Sequence, residues 1–265
     1  MQVNKINNQN FTSHPITTKE IAQIKDAFKF KKVFLYDVNT THGLMDQAIR
    51  IRKNGIRDGF PIQGADDIIP ALKKIKRMLK GRLPKIETVD AHKFTDPEIG
   101  LFKNISDIHS EKGTHGAKKI KETIFAKPRY IIEVEPTKEF VPEVYEIRNA
   151  MMHNDVIRIE KNEIDVLKYG DGKTGIIFDN KKGLKFFENL KKAGAQIALV
   201  YGVAEEHGVK AAVNACKRFK ITPIIIEDAV KDAGQKVLKD INDPVYGDVA
   251  TITTAKLGEI FSHIG

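Results

Sequence analysis

The sequence predicts a doubly wound α/β fold, in which helices cover both faces of a mostly parallel, six-stranded sheet. Short β-branched runs alternate with stretches of helical periodicity, and several runs are apolar throughout, as expected of parallel strands buried on both faces. Repeated strand–helix units imply right-handed crossovers between parallel neighbours. The chain has 265 residues, 41% of them hydrophobic, which is sufficient for one domain with a real core.

Six segments are predicted as the strands of this sheet, and each is rich in β-branched or aromatic residues. They are, in chain order, KVFLYDV (32–38), KIETVDA (85–91), DVIRIEK (155–161), QIALVYGVA (196–204), TPIIIED (222–228) and VATITTA (249–255). Amphipathic helices are predicted between them in GADDIIPALKKIKRMLKGR, GLKFFENLKKAG and VKAAVNACKRFK. In KKAGAQIALV a glycine ends one helix directly before the next strand.

Two stretches do not follow the alternation. Residues 1–31 read as an N-terminal extension with one short helix in TTKEIAQIKDAF, and residues 128–154 read as an insertion with a hairpin and a helix. We therefore expect a single domain over 1–265 that carries this extension and this insertion.

Net charge, apolar runs and cysteine content exclude several classes of protein. The net charge is +9, but the lysines are spread along helices and mixed with acids, and no RNA-binding aromatic signature, zinc finger or basic zipper is present. We expect a solvated lysine-rich surface without nucleic-acid binding, although general attraction to anions remains open. No membrane-spanning apolar run or signal peptide is visible, so we expect a cytoplasmic protein with no membrane partner. The single cysteine, Cys216, excludes an internal disulfide framework.

Polar residues at the strand ends are the first candidates for a site, because doubly wound sheets bind ligands at the carboxyl ends of their strands. Asp37 ends the first strand, Asp90 and His92 end the second, Lys161 ends the third, and the fourth runs into Gly208. A carboxylate after VFLY is costly to bury unless it is paired or used. Capping of a helix or turn is the alternative role for Asp37.

The D-x-H pair points Asp90 and His92 to the same side of an extended segment. One oxygen and one nitrogen ligand suit Zn²⁺, Mn²⁺ or Fe²⁺ if a third histidine completes the site. His109 and His115 are the nearest candidates in the sequence. Taken alone, the pair is also compatible with an ordinary surface histidine.

Six segments match, in the same order, the conserved segments of a known family. They are FLYDV with GADDIIPAL, TVDAH, DIHSEKGTHGA, IEKN, YGVAEEHGVKAAVNACKRF and IIIEDAV. They resemble segments of the nicotinamidase and isochorismatase group of cysteine hydrolases, over roughly 32–127 and 155–258. The resemblance implies the isochorismatase-like hydrolase fold.

The resemblance also implies a metal site. Asp90, His92 and His109 correspond to the metal ligands of the nicotinamidase branch, which the isochorismatase branch generally lacks. PEIGLF resembles a segment that supplies an extra glutamate ligand in some nicotinamidases, which makes Glu98 a candidate fourth ligand. One divalent metal per chain, Zn, Mn or Fe, is therefore expected.

The family reaction needs a cysteine thiolate that attacks an amide carbonyl, with an aspartate and a lysine to complete the triad. Asp37 and Lys161 correspond to that aspartate and lysine, but Gly208 occupies the cysteine position. Cys216 lies about 12 Å further along the predicted helix, too far to substitute. Ser110 replaces a cysteine of a different segment. The resemblance therefore implies a pseudoenzyme or a strongly impaired amidohydrolase.

The pocket is predicted to differ from that of the family as well. His42 stands where the opening motif usually reaches a pocket aromatic, and Ala204 and His207 flank the turn at Gly208. The expected partner is a small-molecule amide or a pyridine-like ligand. A homodimer or a higher homo-oligomer is the expected assembly, because members of the family often form one.

Two alternatives remain open at this point. The chain could be an active metal-dependent hydrolase in which Asp37 serves as base for metal-activated water, a mechanism that chelators would abolish. It could instead be a basic interaction protein whose binding to an acidic partner weakens steeply with salt.

Overall fold

The computed structural model of the protein describes residues 14–101, 103–133, 140–170, 177–233 and 249–262. The strands are β1 (His14–Pro15), β2 (Val33–Val38), β3 (Arg50–Ile51), β4 (Arg57–Asp58), β5 (Lys85–Asp90), β6 (Tyr130–Glu133), β7 (Val156–Lys161), β8 (Lys168–Gly170), β9 (Ile177–Asp179), β10 (Ile197–Val203), β11 (Thr222–Lys231) and β12 (Ala250–Ile252). The helices are α1 (Thr18–Lys29), α2 (His42–Met45), α3 (Ile69–Leu79), α4 (Pro97–Leu101), α5 (Val144–Met152), α6 (Lys181–Lys192), α7 (Lys210–Arg218) and α8 (Thr254–Ser262).

The central sheet has eight parallel strands in the order β1-β12-β11-β10-β2-β5-β7-β6. The predicted α/β class is confirmed, and all six predicted strands are present. The predicted count of six is too low, because β1 and β6 each add a short edge strand. Both lie in the stretches that did not follow the alternation, and short edge strands leave little periodicity to detect.

The 128–154 stretch contributes a strand and a helix to the sheet architecture. Tyr130–Glu133 pairs in parallel with β7, and α5 follows it. The hairpin expected there is not seen within the described part of the stretch. The helix predicted in the N-terminal extension is present as α1.

Helices cover both faces, and each face has its own apolar core. Side chains of β2 alternate between the two cores, since successive strand residues point to opposite faces. Leu35 packs with Leu72 of α3, whereas Tyr36 packs in the core that holds Phe187 of α6. Within the described ranges, no helix has both the length and the apolar composition needed to span a bilayer.

The register of the central strands decides which polar side chains can meet. Asp37 pairs with Glu87, and Glu87 pairs with Arg158, so these three side chains project from one face. Asp90 pairs with Lys161, and Asp90 lies an odd number of positions after Glu87 on the same strand. Asp90 and Lys161 therefore project from the opposite face.

The strand order reverses beside β2. The chain moves outward from β2 through β5 to β7 on one side, and from β10 through β11 to β12 on the other. A crevice at the carboxyl ends of the strands is expected at such a reversal. The candidate site lies at this end of the sheet.

Candidate metal and ligand site at the carboxyl ends of the strands

Four buried side chains meet beyond the end of β5. They are Asp90, His92, Glu98 and His109, and one donor atom of each lies within 4.8 Å of the others. Glu98 Oε1 is 3.6 Å from His92 Nε2 and 3.4 Å from His109 Nε2. The structure thus brings together the four residues that the sequence singled out as candidate ligands.

Backbone hydrogen bonds hold these segments in place. The amide of His92 donates to the carbonyl of Ser110 at 3.1 Å, and the amide of Lys112 donates back to the carbonyl of His92 at 3.1 Å. Before α4, Asp96 Oδ2 accepts from the amide of Lys93 at 2.7 Å, which forms the turn that places Glu98. Hydrogen bonds to the main chain therefore hold the segments that carry the four candidate ligands.

The cluster fits a divalent metal ion. His92 Nε2 and Glu98 Oε2 are buried without a hydrogen-bond partner among the described residues, whereas His92 Nδ1 faces Asp96 Oδ2 at 3.4 Å. Buried polar atoms nearly always have a partner, so His92 Nε2 and Glu98 Oε2 mark a place where a partner is needed. Two imidazoles and two carboxylates form a donor set suited to Zn²⁺, Mn²⁺ or Fe²⁺.

The pKa shifts of His92 and Glu98 also favour a bound cation. Burial by itself lowers the pKa of His92, but Glu98 and Asp96 outweigh it and raise that pKa to about 10. Burial likewise raises the pKa of Glu98, but the two facing imidazoles and Lys161 outweigh it and hold that pKa well below its usual range. The Glu98 carboxylate is therefore ionised, and a cation that enters displaces a proton from the His92 imidazole.

Lys161 and Asn39 fix the two oxygens of Asp90. The Lys161 ammonium donates to Asp90 Oδ1 and, at 2.9 Å, to the carbonyl of Glu163. Asn39 Nδ2 donates to Asp90 Oδ2 at 3.1 Å, and Thr88 Oγ1 donates to Asn39 Oδ1 at 3.1 Å. Burial lowers the pKa of Lys161, but Asp90 and Glu98 outweigh it and raise the pKa, so the lysine is charged.

A small cavity of about 30 Å³ connects the cluster to the turn after β10. Its lining residues are Asn39, Leu44, Phe60, Asp90, Glu98, His109, Lys161, Ile164, Ala204, His207 and Gly208. None of these described residues carries a hydroxyl or a thiol. A Cβ atom at Gly208 would lie 3.1 Å from Asn39 Nδ2 and 3.2 Å from Val38 Cγ1, so the space for a side chain there is tight.

Asp37 lies elsewhere, in a buried ion-pair network on the opposite face of the sheet. Its carboxylate accepts hydrogen bonds from Lys85 Nζ at 2.9 Å, Lys119 Nζ at 2.7 Å and Thr40 Oγ1 at 2.7 Å. Burial raises the pKa of Asp37, but the two lysines outweigh it and lower that pKa. The structure does not bring Asp37 together with Lys161 or with the cavity at Gly208.

This network was not anticipated. Glu87 completes it, since its carboxylate is 2.6 Å from Lys85 Nζ and accepts from Arg158 Nε at 2.7 Å. Lys85 and Glu87 stand at alternate positions of one buried strand, and this pattern in the sequence could have indicated the network. Two charges on the same face of an apolar strand need partners, and the aspartate of the neighbouring strand is the nearest candidate.

Comparisons with known proteins bear on the fold. No protein-family model matches the sequence, and no curated protein matches it either. An isochorismatase-like hydrolase from Alkaliphilus metalliredigens superposes with a TM-score of 0.51 at 15% identity, over 86% of this chain and 98% of that one. The chain has the isochorismatase-like hydrolase fold. This confirms the fold that the sequence resemblance implies.

Two further structures with the isochorismatase-like arrangement contain ligands. PnC1 from L. infantum, in complex with nicotinate, has a TM-score of 0.53 at 12% identity, over 92% of this chain and 98% of that one. The pyrazinamidase of Pyrococcus horikoshii, in complex with zinc, has a TM-score of 0.50 at 16% identity, over 84% and 99%. At these identities the likeness concerns the fold.

The remaining candidate residues fall into distinct places of this isochorismatase-like fold. Ala204 and His207 line the cavity beside Gly208, whereas His42 lies with Asp46 and His115 instead. Cys216 is fully buried in the core under α7, and burial raises the pKa of its thiol well above the usual range.

A second, larger groove of about 520 Å³ adjoins His42, and the sequence did not point to it. Its charged lining residues are Lys112, Lys118, Lys119, Lys127, Arg158 and Glu160. The lysines come from the 112–127 segment, and their common location depends on how this segment folds against β5 and β7.

Proposed function

We propose that the protein is a metal-binding relative of the nicotinamidases that has lost the thioester chemistry of that family. The observation that carries the proposal is the cavity at Gly208. It adjoins the four-residue ligand cluster and a charged lysine, yet no described residue in its lining offers a hydroxyl or a thiol, and its two carboxylates belong to the ligand cluster. A pseudoenzyme that binds metal and ligand without turnover is the function that this arrangement supports best.

Substitute nucleophiles lie out of reach. Cys216 is enclosed in the apolar core, and burial raises the pKa of its thiol, which disfavours the thiolate. Ser110 is buried, and its hydroxyl lies 3.3 Å from that of Thr41 and 3.4 Å from the carbonyl of Gly116. Neither side chain lines the cavity.

Asp90, His92, Glu98 and His109 would hold the metal, which when bound supplies a Lewis acid to a ligand in the cavity. Lys161 and Asn39 orient Asp90, and Lys161 adds a positive charge beside the ligand position. The zinc in the pyrazinamidase neighbour supports a divalent metal in this chain, and we propose zinc.

We propose a pyridine-like or amide ligand, on the strength of the nicotinate bound by the PnC1 neighbour. The cavity of about 30 Å³ has room for an ion or a water molecule but not for an aromatic ring. Ligand binding therefore requires side chains of the lining to move, and Phe60, Leu44 and His207 are the bulky ones.

The alternative of an active hydrolase with Asp37 as base receives no support from this geometry. Asp37 is fully buried, is paired with two lysines and projects from the other face of the sheet. The basic interaction protein, the cytoplasmic location and the homo-oligomer stay predictions.

The test is ammonia release from nicotinamide by metal-loaded wild-type protein, Gly208→Cys and Gly208→Ala. The alanine variant is the matched control, because it adds the same Cβ without the thiol. We expect all three to bind metal, and we expect the wild type and the alanine variant to release no ammonia. Ammonia release by the cysteine variant alone would show that a thiol at this position reaches the ligand even though Asp37 is paired with two lysines elsewhere.

Wild-type turnover that EDTA abolishes would contradict the proposal and support the hydrolase alternative. If none of the three metal-loaded proteins releases ammonia, the pseudoenzyme proposal is supported, and a thiol at position 208 is not sufficient without Asp37 in the cavity. The metal contents of the wild type and His92→Ala are also compared after dialysis. If neither protein retains metal, the proposed metal site is wrong.

A further inference from the structure

We propose that His42, Asp46 and His115 form a second site for a divalent transition metal, separate from the buried cluster and open to solvent. One donor atom of each residue lies within 4.8 Å of the others. The site shares no residue with the cluster around His92. It would bring the number of metals per chain to two, where the sequence led us to expect one.

The distances suit ligands of a common ion. Asp46 Oδ1 is hydrogen-bonded to His42 Nδ1 at 2.9 Å, a contact that a bound ion would replace, and Asp46 Oδ2 is 4.0 Å from His115 Nε2. Two ligand atoms at ~2.0–2.1 Å from a tetrahedral zinc ion lie about 3.3 Å apart, so small side-chain rotations close the set around an ion. The two imidazole rings already face each other, with centroids 4.0 Å apart at an angle of 35°.

The backbone holds the two contributing segments together without a metal. The amide of His42 donates to the carbonyl of Lys118 at 2.9 Å, and the amide of Gly43 donates to the carbonyl of Gly116 at 2.8 Å. His42 and Asp46 are one helical turn apart across α2, which places both on one side of it. The donors are therefore preorganised by main-chain hydrogen bonds between the two segments.

Solvent reaches all three side chains. The exposed fractions are 28% for His42, 33% for Asp46 and 50% for His115. Three ligands on an accessible surface leave coordination positions free for water or another ligand. Two imidazoles and one carboxylate favour Zn²⁺, Co²⁺, Ni²⁺ or Cu²⁺ over Mg²⁺ and Ca²⁺, which prefer oxygen ligands.

Arg50 is the competitor for Asp46. Its guanidinium donates to Asp46 Oδ2 and neutralises the carboxylate in the metal-free chain. An ion that binds here must share or displace this pair. Removing the guanidinium is therefore expected to tighten metal binding, the opposite of what removal of a ligand does.

The experiment is a Co²⁺ titration of the chelator-stripped full chain, followed by the visible absorption of the bound ion. We expect about two equivalents for the wild type, about one for His115→Ala, and tighter binding of the second equivalent by Arg50→Ala. His153→Ala is the matched control, because His153 is an exposed histidine at the end of α5, and it should keep both equivalents.

Equal stoichiometry and affinity for the wild type and His115→Ala would overturn the inference. So would a loss of one equivalent by His153→Ala, which would indicate adventitious binding to surface histidines. A wild type that binds one equivalent, lost in His92→Ala and kept in His115→Ala, would also overturn it while leaving the proposed function intact. His115 is half exposed, so its variant is expected to fold even if His92→Ala does not.

Discussion

Two glycines near the end of β10 show how one residue type serves two purposes. Gly202 has φ +140°, and a Cβ atom there would lie 2.0 Å from the carbonyl oxygen of Val38. Only glycine fits that position in the sheet. Gly208 lies in the π-helical turn Glu205–Val209 without a positive φ, and a Cβ atom there would make tight contacts with Asn39 and Val38. The backbone therefore requires glycine at position 202 and does not require it at position 208.

This contrast predicts the effects of two alanine substitutions. We expect Gly202→Ala to lower the free energy of unfolding by at least about 2 kcal/mol, since backbone strain and overpacking each cost roughly 1–3 kcal/mol. Gly208→Ala should cost clearly less. Urea denaturation of both variants checks this, and equal losses would contradict the assignment of Gly202 as the sterically obligatory glycine.

The buried Asp37 gives a second prediction at the residue scale. Asp37→Asn leaves Lys85 and Lys119 buried without their shared carboxylate, and breaking such a pair costs about 3–5 kcal/mol. Because the folded-state pKa of Asp37 is lowered, its stabilisation is complete above its unfolded pKa, near 4, and is lost as the pH falls through the folded pKa.

The stability difference between wild type and Asp37→Asn is therefore expected to be largest at neutral pH and to shrink below about pH 4. Denaturant titrations at a series of pH values measure it. A difference that stays constant down to strongly acidic pH would mean that the lysines are held by other partners. A metal-loaded variant that keeps its metal would agree with the separation of Asp37 from the ligand cluster.

At the scale of elements, α2 and the 109–116 loop pack through a glycine contact. A Cβ atom at Gly43 would lie 2.6 Å from Ser110 Oγ and 3.0 Å from the carbonyl of Gly116, whereas one at Gly100 in α4 would meet nothing. We expect Gly43→Ala to destabilise the fold by roughly 1–3 kcal/mol through overpacking. Gly100→Ala should be neutral or stabilising by up to about 1 kcal/mol. Thermal unfolding compares the two, and a harmless Gly43→Ala would contradict this packing.

The strands show what sequence patterns can and cannot predict. β-Branched runs identified all of the interior strands, and the nearly continuous apolar runs of β10 and β11 are typical of parallel strands buried on both faces. The period of two places side chains within one strand, as with Asp90 and His92, but it does not relate the faces of two different strands. Only the family resemblance assigned Asp37 and Lys161 to one triad, and the strand register sets the two side chains on opposite faces.

The ligand cluster was easier to foresee than the network around Asp37. Asp90 and His92 are local in sequence, and their partners follow within a short stretch that folds back onto them. Lys119 reaches Asp37 from 82 residues away, with no motif to indicate the contact. The sequence therefore predicts a ligand cluster whose residues are close together in the chain. It does not predict a salt bridge between residues as distant as Asp37 and Lys119.

At the scale of the whole molecule, the metal is expected to be part of the stability of the protein. The buried cluster joins the end of β5, α4 and the 109–112 loop, and in the metal-free chain it leaves polar atoms of His92 and Glu98 without partners. An ion that binds the folded chain alone stabilises it by about 2.7 kcal/mol at a free concentration one hundred times its Kd. Unfolded chain offers no comparable arrangement of the four donors.

We therefore expect saturating Zn²⁺ to raise the unfolding temperature of the wild type by several degrees and EDTA to reverse the shift. His92→Ala should lose most of this response, because it removes a ligand at the centre of the buried set. His115→Ala should keep most of it, because its site ties together segments that main-chain hydrogen bonds already hold. Calorimetry with and without metal checks all three proteins. A metal response that survives in His92→Ala but disappears in His115→Ala would place the stabilising ion at the surface, and the buried cluster would then be a polar core and not a metal site.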